Sequence, residues 1–292
     1  MASKKIRLVI NFALAISLIV AASRIGLNLD LILEFLNTLG PYRAVLLFVV
    51  GLIGMFTFSL VTARVFFRYL DQDMPLLLML FKTLITQIGK YFPIGPLSVV
   101  AQGETFRGEK GGRKQSYASV AYVTLSQIAA GGLIASLLLF ETPSLAIPLG
   151  IASLFFLATT FLSMIYLDKF SMSSSTNLQR FFVLLRDLAL LFIAWILVGS
   201  VTSVMIISSG SNEKFSALLA VSVIAWLAGI LAFIAPAGLG VREAIFLLVL
   251  SESDKTALTT ALVVSRTYFI FIDVFLAVIG FYYLRKKNEQ KT

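Results

Sequence analysis

Apolar residues run along this chain in long blocks separated by short polar segments. Seven blocks approach or exceed the roughly 20 residues that a helix needs to cross about 30 Å of hydrocarbon. They cover residues 8–25, 44–63, 118–140, 146–167, 188–208, 215–235 and 257–284. A further apolar piece, 76–88, is too short to span. Gly89-Lys90-Tyr91-Phe92-Pro93-Ile94-Gly95-Pro96 breaks it before a second short piece at 97–101. Proline and glycine at that spacing predict a helical hairpin that enters and leaves from one side. The block beginning at Phe215 continues to Leu250 across Ala235-Pro236-Ala237-Gly238-Leu239-Gly240 and predicts a second such hairpin. The pattern therefore predicts an all-α polytopic membrane protein with about six full spans and two re-entrant or broken helical hairpins, forming one integral membrane domain over residues 1–292.

Composition removes the soluble alternative. The chain is 59% hydrophobic and 13% charged, with a mean hydropathy of +0.94, too little polar surface to keep water on all sides. Lys4, Lys5 and Arg7 precede the first block, no small-residue cleavage site follows it, and Arg24 interrupts it. This reads as a retained signal-anchor helix.

The net charge of +9 changes the picture through its distribution. With the N terminus in the cytoplasm, sixteen of the 24 Lys and Arg fall inside: Lys4, Lys5, Arg7, Arg64, Arg68, Arg107, Lys110, Arg113, Lys114, Lys169, Arg180, Arg186, Arg285, Lys286, Lys287 and Lys291. Arg24, Arg43, Lys214 and Lys255 fall outside, whereas Lys82, Lys90, Arg242 and Arg266 lie within apolar stretches. This is the positive-inside signal of a multi-pass protein with both termini cytoplasmic, in the cell (inner) membrane, and nucleic acid is not an expected partner. The cluster Arg107, Lys110, Arg113 and Lys114 reads first as an orientation signal and second as a headgroup contact at the leaflet surface. Lys82 is expected to snorkel to the cytoplasmic surface.

The arithmetic of sides requires the two hairpins to open from opposite faces. Each break contains Pro-x-Gly, at Pro93–Gly95 and Pro236–Gly238, and each is followed by a polar loop and a long apolar helix. Interrupted segments at corresponding places in two halves are the signature of inverted-repeat transporters with a midplane site, so halves of roughly 44–167 and 188–284 are expected. Kinked but otherwise ordinary helices are the alternative. Glu104 and Gln127 are 23 residues apart, as are Glu243 and Arg266.

The chain has no Cys and no His, leaving carboxylates, amines, guanidinium groups and hydroxyls as its chemistry. A broken helix exposes backbone N–H groups and a partial positive charge, which attract anions. Gly238 and Gly240 allow close approach to the backbone, and Arg242 follows within the resumed helix. A phosphate or phosphodiester headgroup suits that combination. Glu243 is open to three roles: holding Arg242, coupling to protons, or pairing with Arg266. Arg266 and Asp273 lie seven residues apart on about one face of the last helix, where charge is costly enough that they should face a cavity or a partner. Lys90, beside the first break, is the second anion contact expected. The candidate ligand-binding set is Lys90, Pro93, Gly95, Gln127, Pro236, Gly238, Gly240, Arg242, Glu243, Arg266 and Asp273, with no catalytic residue, metal or cofactor expected. Neither Glu243 nor Asp273 has a partner acid at recognisable spacing, so an enzyme is not expected.

Gly89-Lys90-Tyr91-Phe92-Pro93, Ser126-Gln127 and Pro236-Ala237-Gly238-Leu239-Gly240-Val241-Arg242-Glu243 together resemble the hallmarks of the lysylphosphatidylglycerol synthase transmembrane region, or flippase-like domain family. The resemblance runs from the second span to the last. Where the family pattern has Gly after the first Pro, an acidic residue before Gln or Arg, and Gly after the second Pro, this chain has Ile94, Ser126 and Ala237. The resemblance implies a polytopic protein handling lipid headgroups such as aminoacylated phosphatidylglycerol or polyprenyl-linked sugars. Eight residues follow Leu284, so the synthase activity of members fused to a soluble transferase is not expected. The function expected is translocation or binding of an anionic phospholipid or polyprenyl-phosphate lipid. The alternatives are a non-transporting partner that presents a lipid-linked substrate to a glycosyltransferase or synthase, and a small-anion carrier.

Overall fold

The computed structural model describes residues 29–70, 74–91, 97–106, 112–168, 177–232, 238, 240–250 and 255–289. The expected first span at 8–25, the loop residues Arg107, Lys110 and Lys169, and Pro93, Gly95 and Pro236 of the candidate set lie outside the described residues. The described chain is all-α: α1 (Leu29–Leu39), α2 (Pro41–Tyr69), α3 (Leu76–Thr86), a 3₁₀ turn (Gln87–Tyr91), α4 (Leu97–Thr105), α5 (Gly112–Leu138), α6 (Pro143–Asp168), α7 (Asn177–Ser208), α8 (Phe215–Leu231), α9 (Val241–Val249) and α10 (Lys255–Glu289). Five of these, α2, α5, α6, α7 and α10, are long and apolar enough to cross a membrane, and the protein is a multi-pass membrane protein.

The helices extend further than the apolar blocks. α7 begins at Asn177, so Arg180 and Arg186 sit on its first turns rather than in a loop. They are held there by carboxylates: Arg180 bonds Asp168 at the end of α6, and Arg186 reaches the adjacent Asp187 at 2.8 Å. Likewise α4 runs past residue 101 to Thr105, taking in Glu104, which is buried because Tyr117 and Arg113 at the start of α5 meet its carboxylate. α1 has no counterpart in the blocks read from the sequence.

With no water in the hydrocarbon, hydroxyls within the spans must find acceptors inside the protein. Thr57, Ser59 and Thr62 on α2, Ser126 on α5, Thr160 on α6 and Ser203 on α7 each donate to the carbonyl four residues earlier. Close packing of α5 on α6 uses small residues on both sides. A Cβ at Gly132 would lie 2.1 Å from Ser153 Oγ, and Ser136 donates across the interface to the Ala146 carbonyl.

A chain of contacts fixes which helix ends share a face. Phe81 of α3 stacks on Tyr283 of α10, Lys82 lies over Phe106, and Phe106 packs on Phe66 of α2. Gln115 of α5 donates to the Tyr69 carbonyl, and Arg68 reaches Asp187 of α7. The middle of α3 and the residue just after α4 therefore lie together. The loops after α5 and α7 meet through Lys214 and Glu141, 3.1 Å apart. In the second interrupted segment, α9 packs against both α8 and α10.

Candidate functional site

Described residues flanking the two interruptions meet at a small, partly open cavity of about 30 Å³, whose lining includes Lys90, Tyr91, Trp226, Arg242, Glu243 and Arg266. Each side chain arrives from a different local device. The helical turn after α3 tightens into the 3₁₀ turn Gln87–Tyr91, which places Lys90 and Tyr91 at the break. Both contact Asp273, near the middle of the Lys255–Lys287 span: Lys90 Nζ at 2.6 Å, and the Tyr91 hydroxyl by a hydrogen bond to the same Oδ2. Asp273 is itself buried, so the pair ties the first break to α10.

Arg242 occupies the second position of α9, and its guanidinium carbon lies 3.6 Å from the centroid of the Trp226 ring on α8. Two glycines make that possible. Gly238 has φ +69°, a conformation that an L side chain adopts only with strain, and a Cβ there would lie 2.6 Å from Gly229 Cα. A Cβ at Gly229 would meet Arg242 Nε at the same distance. The end of α8 and the start of α9 thus approach backbone to backbone, with the arginine laid along the contact.

Glu243 accepts the Gly240 N–H at 2.8 Å through one oxygen, capping α9, and pairs with Arg266 of α10 through the other. Of the three roles open to Glu243 in the sequence, the geometry realises the pairing with Arg266. Arg266 and Asp273 do not face one another. Each uses its place on α10 to bind a partner from one of the two broken segments.

Arg242 differs from its neighbours. Its Nε is buried with no hydrogen-bond partner, and among the described residues no carboxylate forms an ion pair with it. The aromatic face contributes about 0.5–2 kcal/mol, which offsets only part of the desolvation of a guanidinium. Nearby, the Thr202 and Ser265 hydroxyls, 3.4 Å apart, add donors and acceptors to the wall.

Lys90, Arg242, Glu243 and Arg266 thus line the cavity, Asp273 stands behind Lys90, and Gly238 and Gly240 shape the turn. Gln127 does not line it. Its carbonyl accepts the Trp195 indole N–H at 2.9 Å, and Trp195 in turn packs edge-on against Trp226, 6.4 Å between centroids. Trp226, Tyr91 and Gly229 are absent from the candidate set. Tyr91 stands inside the Gly-Lys-Tyr motif and was legible there, whereas Trp226 and Gly229 sit in an unbroken apolar block where nothing distinguishes them from lipid-facing residues. Among the described residues no group of carboxylates is arranged to hold a metal ion.

Comparison with models of known protein families and with curated proteins returns no match for this chain.

Proposed function

We propose that this protein binds the headgroup of an anionic lipid in the cavity between the two broken hairpins and carries it across the membrane. The observation that carries this reading is Arg242, whose buried Nε has no hydrogen-bond partner and which pairs with no carboxylate among the described residues, held against Trp226 at a small polar cavity between apolar helices. A charge so placed is costly unless an anion joins it. A free anion would meet the same cation, but the long apolar helices around the cavity leave the tails of a lipid in hydrocarbon while its head is held. The two hairpins are read as corresponding parts of an inverted repeat whose halves rock to expose the site alternately. The face carrying Arg68, Arg113, Arg180 and Arg186 is taken as cytoplasmic, in the plasma membrane.

The test is reconstitution of the purified protein into liposomes containing a fluorescent acidic phospholipid or a fluorescent polyprenyl phosphate. Movement between leaflets is expected to exceed that in protein-free liposomes, and to fall at least about tenfold in Arg242→Gln, the lower end of what one lost charge-assisted contact costs. No movement of any anionic lipid would defeat the proposal. Binding without movement would favour presentation of the lipid to a partner enzyme.

A further inference from the structure

Asp273 is buried near the middle of the Lys255–Lys287 span and is absent from the lining of the cavity. One of its oxygens, Oδ2, receives both Lys90 Nζ, at 2.6 Å, and the Tyr91 hydroxyl. Lys90 does line the cavity, so a single lysine stands between a hidden carboxylate and the space open to a ligand. Charges on the neighbouring elements are directed elsewhere. Arg266, on the same helix, pairs with Glu243, Lys82 of α3 lies over Phe106, and Arg68 of α2 and Arg186 of α7 reach Asp187. Among the described residues, Lys90 is the ion-pair partner of Asp273 and Tyr91 its hydrogen-bond donor.

Lys90 is also placed to serve an anion held by Arg242. Its Nζ lies 5.9 Å from the centroid of the Trp226 ring, the same ring that carries the Arg242 guanidinium at 3.6 Å. An anion on Arg242 at the cavity therefore competes with Asp273 for Lys90, whose flexible stem lets the ammonium turn. A carboxylate that loses its cation in the protein interior becomes an uncompensated buried charge, and such a group neutralises by taking a proton. The Tyr91 hydroxyl stays as its partner, since a hydroxyl can accept from a carboxylic acid as well as donate to a carboxylate.

We propose that Asp273 couples the site to protons: an anionic headgroup draws Lys90 away from Asp273, which takes one proton from solution as the lipid enters and returns it as the lipid leaves. The proposal rests on the reading of the cavity as an anionic-lipid site, and adds the source of energy. For a singly charged headgroup the loaded and empty sites carry the same total charge, whatever the other groups contribute, because one anion arrives with one proton. Cotransport is then electrically neutral, driven by a pH difference across the membrane and indifferent to its voltage. Linkage fixes the sign: lower pH tightens anion binding, by up to about tenfold per pH unit for one proton.

Phosphatidylglycerol dispersed in uncharged detergent micelles is the probe for the purified full chain. Its phosphodiester lacks the second ionisation that a phosphomonoester has near about pH 6, so a pH dependence of binding belongs to the protein. Affinity is expected to rise at least about tenfold between about pH 8 and about pH 6. Mixing protein and lipid in weakly buffered solution with an indicator dye is expected to show about one proton taken up per lipid bound. Asp273→Asn cannot take the proton and leaves Lys90 to the anion. It is expected to bind at about pH 8 as tightly as the unaltered protein does at about pH 6, with no uptake. Glu243→Gln is expected to keep the uptake. The pH series and proton count on the unaltered protein test the coupling whether or not a variant folds. Equal affinity at both pH values with no proton taken up would overturn the coupling while leaving the lipid site intact. Uptake that survives Asp273→Asn would overturn the assignment to Asp273, and its loss in Glu243→Gln would place the proton there instead. No binding of the lipid at any pH would overturn the underlying proposal as well.

Discussion

Gly238 shows how closely this site depends on single atoms. Its positive φ and its contact with the Gly229 backbone both forbid a side chain, and backbone against backbone cannot yield as a flexible side chain would. Gly238→Ala is expected to destabilise the fold by about 1–3 kcal/mol and to weaken lipid binding, because the displaced turn carries Arg242 away from Trp226. Thermal unfolding in detergent, beside the binding measurement, checks both parts. Gly240 also has a positive φ, but a Cβ there meets nothing within 4 Å, so alanine at that position should cost less.

Among the elements, buried ion pairs connect segments that the chain leaves far apart. Lys90 and Asp273 join the first break to α10, and removing one partner strands the other charge in the protein interior. Lys90→Met is expected to cost about 3–5 kcal/mol, and Lys90→Met with Asp273→Leu less than Lys90→Met alone. A double change that unfolds at a lower temperature than either single one would show that the pair does not behave as a coupled unit.

Asp187, fully buried on α7, is the second such centre, receiving Arg68 from α2 at 3.4 Å, Arg186 from its own helix, and the Tyr122 hydroxyl from α5 at 3.4 Å. Because Arg186 is partly exposed, Asp187→Leu is expected to cost about 2–4 kcal/mol, less than a fully enclosed pair would. Its effect on lipid binding should be small, since Asp187 does not line the cavity. Melting curves read against the binding series separate those effects.

At the scale of the whole molecule, the contacts sort the helix ends into two faces. One carries Arg68, Asp168, Arg180 and Asp187, and the other carries Glu141 and Lys214. The absence of native Cys makes single-cysteine labelling clean. With the basic face in the cytoplasm, Lys214→Cys is expected to react with a membrane-impermeant maleimide in intact cells. Lys114→Cys should react only after permeabilisation. The opposite pattern would reverse the orientation and with it the side from which each hairpin opens.

Hydropathy alone determined the class of molecule and the five described spans, because burying about 20 apolar residues in hydrocarbon is a local property of each segment. Proline and glycine at 93–96 and 236–240 marked both breaks for an equally local reason: they cannot continue a helix in the ordinary way. The charged residues inside apolar blocks marked themselves too, since only a partner or a ligand offsets their cost. Which partner each one takes was decided by tertiary structure. Arg266 and Asp273 sit on one helix, yet Arg266 pairs with Glu243 and Asp273 with Lys90, because packing brings a different broken segment to each. Trp226 became a wall of the site, and Gly229 a point of contact, through the crossing of α8 and α9. Gln127, despite its motif, contributes only a carbonyl to Trp195. Sequence spacing specifies what a helix presents; the facing element, folded from residues far away, specifies what meets it.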